Sequence, residues 1–177
     1  MIFKKLKQKS LRKRVEAHLK KRDTSSVNSE VRTIGFLVDE ARDQDFEKFY
    51  DIFKDLSLQP KDVKVFSFVE SKKKLPSLRQ NQVQNKDFDW KGNLHNQNAQ
   101  EFLDKQFDVL VGYYPKPHEI LDVLVASSKA TFKVGVRGAD ERLFDLLLDV
   151  PLHDFNLFKG ELKKYLGVFG KLSKKNA

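Results

Sequence analysis

A chain of 177 residues is long enough for one domain with a real core and too short for two substantial ones. Hydrophobic residues make up 40% and include fifteen Phe, which excludes general disorder, while the lack of cysteine excludes disulfides, thiol catalysis and zinc–thiolate sites. The formal net charge of +9 lies wholly in the first 22 residues, where seven Lys and three Arg face the single acid Glu16; the remainder balances 24 bases against 24 acids.

That first segment, MIFKKLKQKSLRKRVEAHLKKR, contains no Gly or Pro and is rich in strong helix formers, which predicts a helix about 30 Å long. Ile2, Phe3 and Leu6 fall on one side of it and Leu11, Val15 and Leu19 on another, with cations around both. A bilayer surface rewards one continuous apolar face, so the helix is expected to pack one end on its own domain and offer the rest to an anionic partner. The expected nucleic-acid contacts are Lys4, Lys5, Lys7, Lys9, Arg12, Lys13, Arg14, Lys20, Lys21 and Arg22.

Residues 23–30, including Asp23-Thr24-Ser25-Ser26, read as a linker between this basic extension and an α/β domain spanning 31–177. Val31 to Val38 is the expected first strand, with Gly35 allowing close backbone approach. Phe46, Phe49, Tyr50, Phe53 and Leu56 share one face of the helix that follows, and acids at Asp43, Asp45 and Glu47 suit its N-terminal end. Pro60 ends the turn after it, and Val63 to Val69 is a second strand.

Residues 70–98 form the least regular stretch, opening on Lys72-Lys73-Lys74. Within it Phe88-Asp89-Trp90, ended by Gly92, reads as a short edge strand, with Trp90 capping the core and Arg79 extending a basic surface. A short helix over Ala99 to Gln106, burying Phe102 and Leu103, leads to the most legible unit of the chain, Phe107 to Val136. There Val109-Leu110-Val111 has the unbroken apolar character of a central parallel strand. Pro117 is placed to open a helix carrying Ile120, Leu121, Leu124 and Val125 on one face, and Phe132 to Val136 resumes as strand.

Leu143 to Val150 reads as a last strand ended by Pro151. Asp154 then caps a helix whose apolar arc is Phe155, Phe158, Leu162, Tyr165, Leu166 and Phe169. Its outer face and tail, with Lys159, Lys163, Lys164, Lys171, Lys174 and Lys175, are expected to form a second basic surface. The fold class is thus α/β: a single Rossmann-like open sheet of four to five mostly parallel strands, helices on both faces, preceded by a detached basic helix.

The phrases FDVLVGYY, SSKATFKVGV and DLLLDVPLHDF, the DFDWKG loop and the closing ELKKYL together resemble an uncharacterised family of hypothetical proteins from Bacteroidota, over most of residues 31–169. More distantly, residues 108–136 are similar to the strand, helix, strand unit in the N-terminal half of heptosyltransferase-type glycosyltransferases. That resemblance implies a Gly-Asp turn after the first strand and a second, donor-binding domain; here the turn reads Asp39-Glu40-Ala41-Arg42.

No phosphate loop, dinucleotide fingerprint or nucleophile elbow is present, and His18, His95, His118 and His153 lack metal-ligand spacing, so neither cofactor nor metal is expected. In an open α/β sheet a small ligand would lie beyond the strand carboxyl ends, which defines a candidate crevice of Asp39, Glu40, Tyr113, Tyr114, His118 and Arg137. The expected function is non-catalytic: a cytoplasmic accessory protein attached to structured RNA, ribosomal RNA being the most abundant, through its basic helix. The alternatives are a glycosyltransferase-like protein at a membrane surface and a protein–protein adaptor.

Overall fold

The computed structural model describes residues 1–25, 27–72 and 79–173. The chain begins with α1 (Ile2–Lys21), then β1 (Ile34–Asp39), two short helical turns α2 (Glu47–Tyr50) and α3 (Ile52–Leu56), β2 (Val63–Val69), β3 (Gln82–Gln84) and α4 (Gln97–Asp104). It continues through β4 (Val109–Tyr113), α5 (Glu119–Ser127), β5 (Phe132–Val136), β6 (Leu146–Leu148) and α6 (Phe155–Val168). Six strands form one sheet in the order β3-β2-β1-β4-β5-β6, and every pairing is parallel. The architecture is the expected open, Rossmann-like α/β sheet, with six strands where four to five were expected and all of them parallel.

A doubly covered parallel sheet needs strands apolar on both sides, and β1, β4 and β5 meet that need: all are buried but for Asp39 at the end of β1. Alternation sends Ile34, Phe36 and Val38 to one face, where they join Phe49, Ile52, Leu56, Phe158, Leu162 and Leu166 from α2, α3 and α6. On the other face Leu37, Phe66, Phe68 and Leu110 meet Phe102, Leu121 and Leu124 of α4 and α5. A Cβ on Gly112 or on Gly135 would come within 2.9 Å of the Phe144 ring, so these two glycines give the ring its seat over β4 and β5.

The basic helix is not detached. Leu11 (2% exposed) and Val15 are buried in the same core cluster as α5, with Leu19 packed alongside, so the stripe at i, i+4 and i+8 is spent on the body. Ile2, Phe3 and Leu6 remain exposed. Of the lysines expected to form a second basic surface, Lys163 is exposed and three others are spent within the body. α6 lies against the opposite sheet face from α1, Lys171 is fully buried and donates to the carbonyls of Val27 and Ser29, and Lys159 and Lys164 pair with Asp55 and Glu161. Lys73, Lys74, Lys174, Lys175 and Ser26 lie outside the described residues.

Local differences have local causes. The aromatic helix is interrupted at Asp51, leaving α2 and α3 to bury Phe49, Ile52 and Leu56 while Phe46, Tyr50 and Phe53 pack at the margin. His118 rather than Pro117 opens α5: its Nδ1 accepts from the N–H groups of Ile120 (3.3 Å) and Leu121 (3.1 Å). Leu143 closes a 3-10 turn, so β6 keeps only Leu146–Leu148 of the apolar run. Phe88 makes a single antiparallel bridge to Leu94 and the edge strand is Gln82–Gln84. The Asp154 cap is as expected, accepting from Leu157 N–H at 2.9 Å.

Candidate functional site

The crevice expected beyond the strand carboxyl ends breaks into separate, internally satisfied parts. Tyr113 and Tyr114 are consecutive residues where β4 ends, so they point to opposite faces of the sheet. Tyr113 packs edge-on against Phe49 and Phe158, and its hydroxyl donates to the Leu152 carbonyl at 2.6 Å. Tyr114 lies in the other core and its hydroxyl donates to Asp122 Oδ1 at 2.9 Å. Burial raises both phenol pKa values. Two buried tyrosines on opposite faces do not share a ligand.

The carboxylates at the end of β1 close their own loop. Asp39 Oδ1 accepts from the Ala41 N–H at 3.0 Å, and Glu40 Oε1 accepts from Ser67 Oγ (2.6 Å) and Gln82 Nε2 (2.7 Å), tying β1 to β2 and β3. His118 is committed to its cap, lies 4.8 Å from the Phe68 ring and is held toward the neutral form by burial. Its backbone N–H donates to Asp122 Oδ2 at 2.9 Å, so Asp122 joins Tyr114 to the start of α5. Burial, partly offset by these bonds, pushes Asp122 up to about 6. Arg137 is exposed and paired with Asp149 at 3.0 Å. A depression of about 610 Å³ does lie beyond β4, β5 and β6, but Lys48 and Arg137, two of the cations on its rim, face Asp43 and Asp149. Among the described residues, no group of three or more His, Asp or Glu converges as a metal site.

The ten cations of the basic segment divide into two sets. Three turn inward and hold α1 to the body. Lys7 Nζ donates to the carbonyls of Asn85 (2.5 Å) and Phe88 (2.6 Å), Arg14 bonds the Asn93 side chain, and Arg22 pairs with Asp145. Burial lowers the Lys7 pKa. The other seven, Lys4, Lys5, Lys9, Arg12, Lys13, Lys20 and Lys21, are exposed. Glu16, the acid of this segment, is paired with Arg142 of the body at 2.8 Å. Beyond Leu6 the outer side of α1 runs through Lys9, Arg12, Lys13, Ala17, Lys20 and Lys21 without a large apolar residue. No helix among the described residues is long and apolar enough to cross a membrane.

Sequence reasoning missed one element beside this face. Trp90, expected to cap the core, is 50% exposed and packs in neither core cluster. It sits on a turn closed by Asp89 and Asn93, in which Asn93 N–H and Nδ2 donate to the two Asp89 oxygens at 2.8 Å each. Gly92 adopts a left-handed φ of 76° there. The Asp-x-x-Gly-Asn spacing is turn chemistry, and it was the available signal.

The chain belongs to DUF6913, a family of unknown function, whose model matches residues 7–169 and so takes in α1 from Lys7 onward. No curated protein and no solved structure matches it.

Proposed function

We propose that this family member is a non-catalytic RNA-binding accessory protein that lays the outer face of α1 along an RNA backbone, ribosomal RNA being the most abundant candidate. The observation that carries the reading is how α1 divides its residues. Its apolar stripe Leu11-Val15-Leu19 is consumed by α5, its acid is paired to the body, and seven exposed cations run along about 30 Å of helix. A bilayer would need that apolar stripe, whereas phosphates need only the cations. The crevice residues support this reading in that Asp39, Glu40, Tyr113, Tyr114 and His118 are occupied in loop closure, capping or packing and Arg137 is paired with Asp149.

Phosphate binding releases condensed counterions, so four or five contacts among the seven cations give a log–log salt slope of about −3 to −4. The charge variant Lys4→Gln, Lys5→Gln, Lys9→Gln, Arg12→Gln and Lys13→Gln keeps helix propensity and leaves Lys7, Arg14 and Arg22 in place to dock α1. It is expected to stay folded, to lose most RNA or ribosome co-sedimentation and to carry less nucleic acid through low-salt purification. Co-sedimentation equal to that of the natural protein, or binding to anionic vesicles and not to RNA, refutes the reading.

A further inference from the structure

A cavity of about 1010 Å³ opens where the first turns of α1 pass over the carboxyl ends of β2 and β3 and the start of α5. Phe68 and Pro117 contribute to its apolar lining, and Phe3 and Trp90 flank it. Phe3 is 71% and Trp90 50% exposed, a large outlay of aromatic surface to water. The charged lining is one-sided: Lys4, Lys7, Lys72, Lys86 and Lys116 against Glu70 and Glu119.

The turn that displays Trp90 is fixed from several directions. Asp89 N–H donates to the Asn93 carbonyl and Gly92 N–H to the Asp89 carbonyl, each at 3.0 Å, and His95 Nε2 lies 3.1 Å from Asp89 Oδ2. From α1, Arg14 bonds Asn93 and Lys7 bonds the Phe88 carbonyl on the residue preceding the turn. The ring is thus held out by a rigid platform that α1 itself secures. Lys91 Nζ stands 5.1 Å from the ring centroid, which puts a further cation beside the aromatic face.

We infer that this groove takes a short single-stranded segment of RNA, with Trp90 stacking on an unpaired base and Lys4, Lys72, Lys86 and Lys116 following its backbone. The occupant follows from charge complementarity together with exposed aromatic faces. A duplex hides its base faces, whereas a single strand offers one per nucleotide and tolerates any sequence. The inference rests on the RNA reading of α1 and deepens it: α1 holds phosphates, and the groove at its N-terminal end adds recognition of an unpaired base next to them.

Trp90 is the chain's one tryptophan, so its emission reports on the groove directly. The full-length protein is titrated with a short oligouridylate, with a blunt RNA duplex and with phosphatidylserine-containing vesicles. The oligouridylate is expected to quench Trp90. Trp90→Ala should weaken it by about 5- to 150-fold, the range found for loss of one stacked base, with the duplex affinity unchanged. Trp90→Phe should retain most of the affinity, which keeps the test decisive if the alanine variant folds poorly. Binding of both RNAs without quenching, and unchanged in Trp90→Ala, overturns the groove inference and leaves the α1 reading intact. Failure of both RNAs to bind overturns both. A blue shift with vesicles and no response to the oligouridylate assigns the groove to a lipid surface and overturns the inference as well.

Discussion

Substituting Leu11 tests whether α1 is part of the folded body or an appendage. Its side chain is 2% exposed, lies between α1 and the core that includes Phe88, Leu121 and Leu124, and is the most buried apolar residue of the helix. Truncating such a leucine to alanine removes the transfer free energy of its methyl groups and leaves a cavity that relaxes only in part, about 2–5 kcal/mol. In a chain of this size each kcal/mol moves Tm by about 2–4 °C, so Leu11→Ala is expected to lower Tm by about 4–20 °C. Leu6→Ala, five residues earlier on the same helix and 41% exposed, provides the control. A surface change of that kind stays within about 0.5 kcal/mol, or about 2 °C. Thermal unfolding followed by far-UV circular dichroism measures both. An unchanged Tm for Leu11→Ala, or equal drops for the two variants, would mean that the helix does not dock by this stripe, and the division of its residues into inner and outer sets would fall with it.

Two buried ionisable groups give pH-dependent predictions of opposite sign. Asp122 has its pKa raised to about 6, chiefly by burial, so its contribution to stability is full below its unfolded value near 3.8 and is lost as pH rises through 6. Its carboxyl resonance is expected to titrate near 6, and higher in Tyr114→Phe, where the phenol hydrogen bond that favours the carboxylate is gone; a midpoint near 4 in both proteins contradicts the assignment. Lys133 is 2% exposed, donates at 2.5 Å to the Val125 carbonyl at the end of α5, and has its pKa lowered to about 7, first by burial and then by Arg22. Its contribution is therefore full above 10.5 and lost as pH falls through 7; urea midpoints of the natural protein should rise between neutral and alkaline pH more steeply than those of Lys133→Met, and parallel curves would refute this.

Much of the fold was legible because the relevant signals are local. Val109 to Val111 are fully buried apolar residues on one of the two central strands, Val63–Val69 and Phe132–Val136 have the expected bounds, and Asp154 caps where its position suggested. β3 was hidden because an edge strand of three residues, Gln82-Val83-Gln84, has room for one buried aliphatic side chain and no visible period. The docking of α1 was half legible. Leu11, Val15 and Leu19 announce a stripe, but not what covers it. The inward cations were not legible at all, since Arg14 finds Asn93 across 79 residues and Arg22 finds Asp145 across 123. Charge counting treats all ten alike; only the tertiary partner separates a tether from a contact.

That separation puts the proposed RNA face on the flank of the molecule, away from the place where an open α/β sheet most often holds a ligand. The two central strands, β1 and β4, stay paired up to Val38 and Tyr113, but the chain leaves their carboxyl ends in opposite directions, toward β2 and toward β5, which is where a ligand would enter. Yet Asp39 and Glu40 are engaged in closing the loop and joining the strands, and the two tyrosines leave β4 in opposite directions to seal separate cores. α2, at four residues, is too short to present a developed N-terminal dipole to an anion there. On the flank the balance is reversed. Three cations and an apolar stripe are enough to dock α1, because a stripe at i, i+4 and i+8 occupies one side of a helix and leaves the remaining circumference free. The same helix can therefore be part of the core and carry an exposed row of positive charge, and two of the inward set, Lys7 and Arg14, also secure the turn on which Trp90 stands. A variant that neutralises only the outer set thus changes the proposed interface and leaves its scaffold in place, whereas deleting α1 would remove both together.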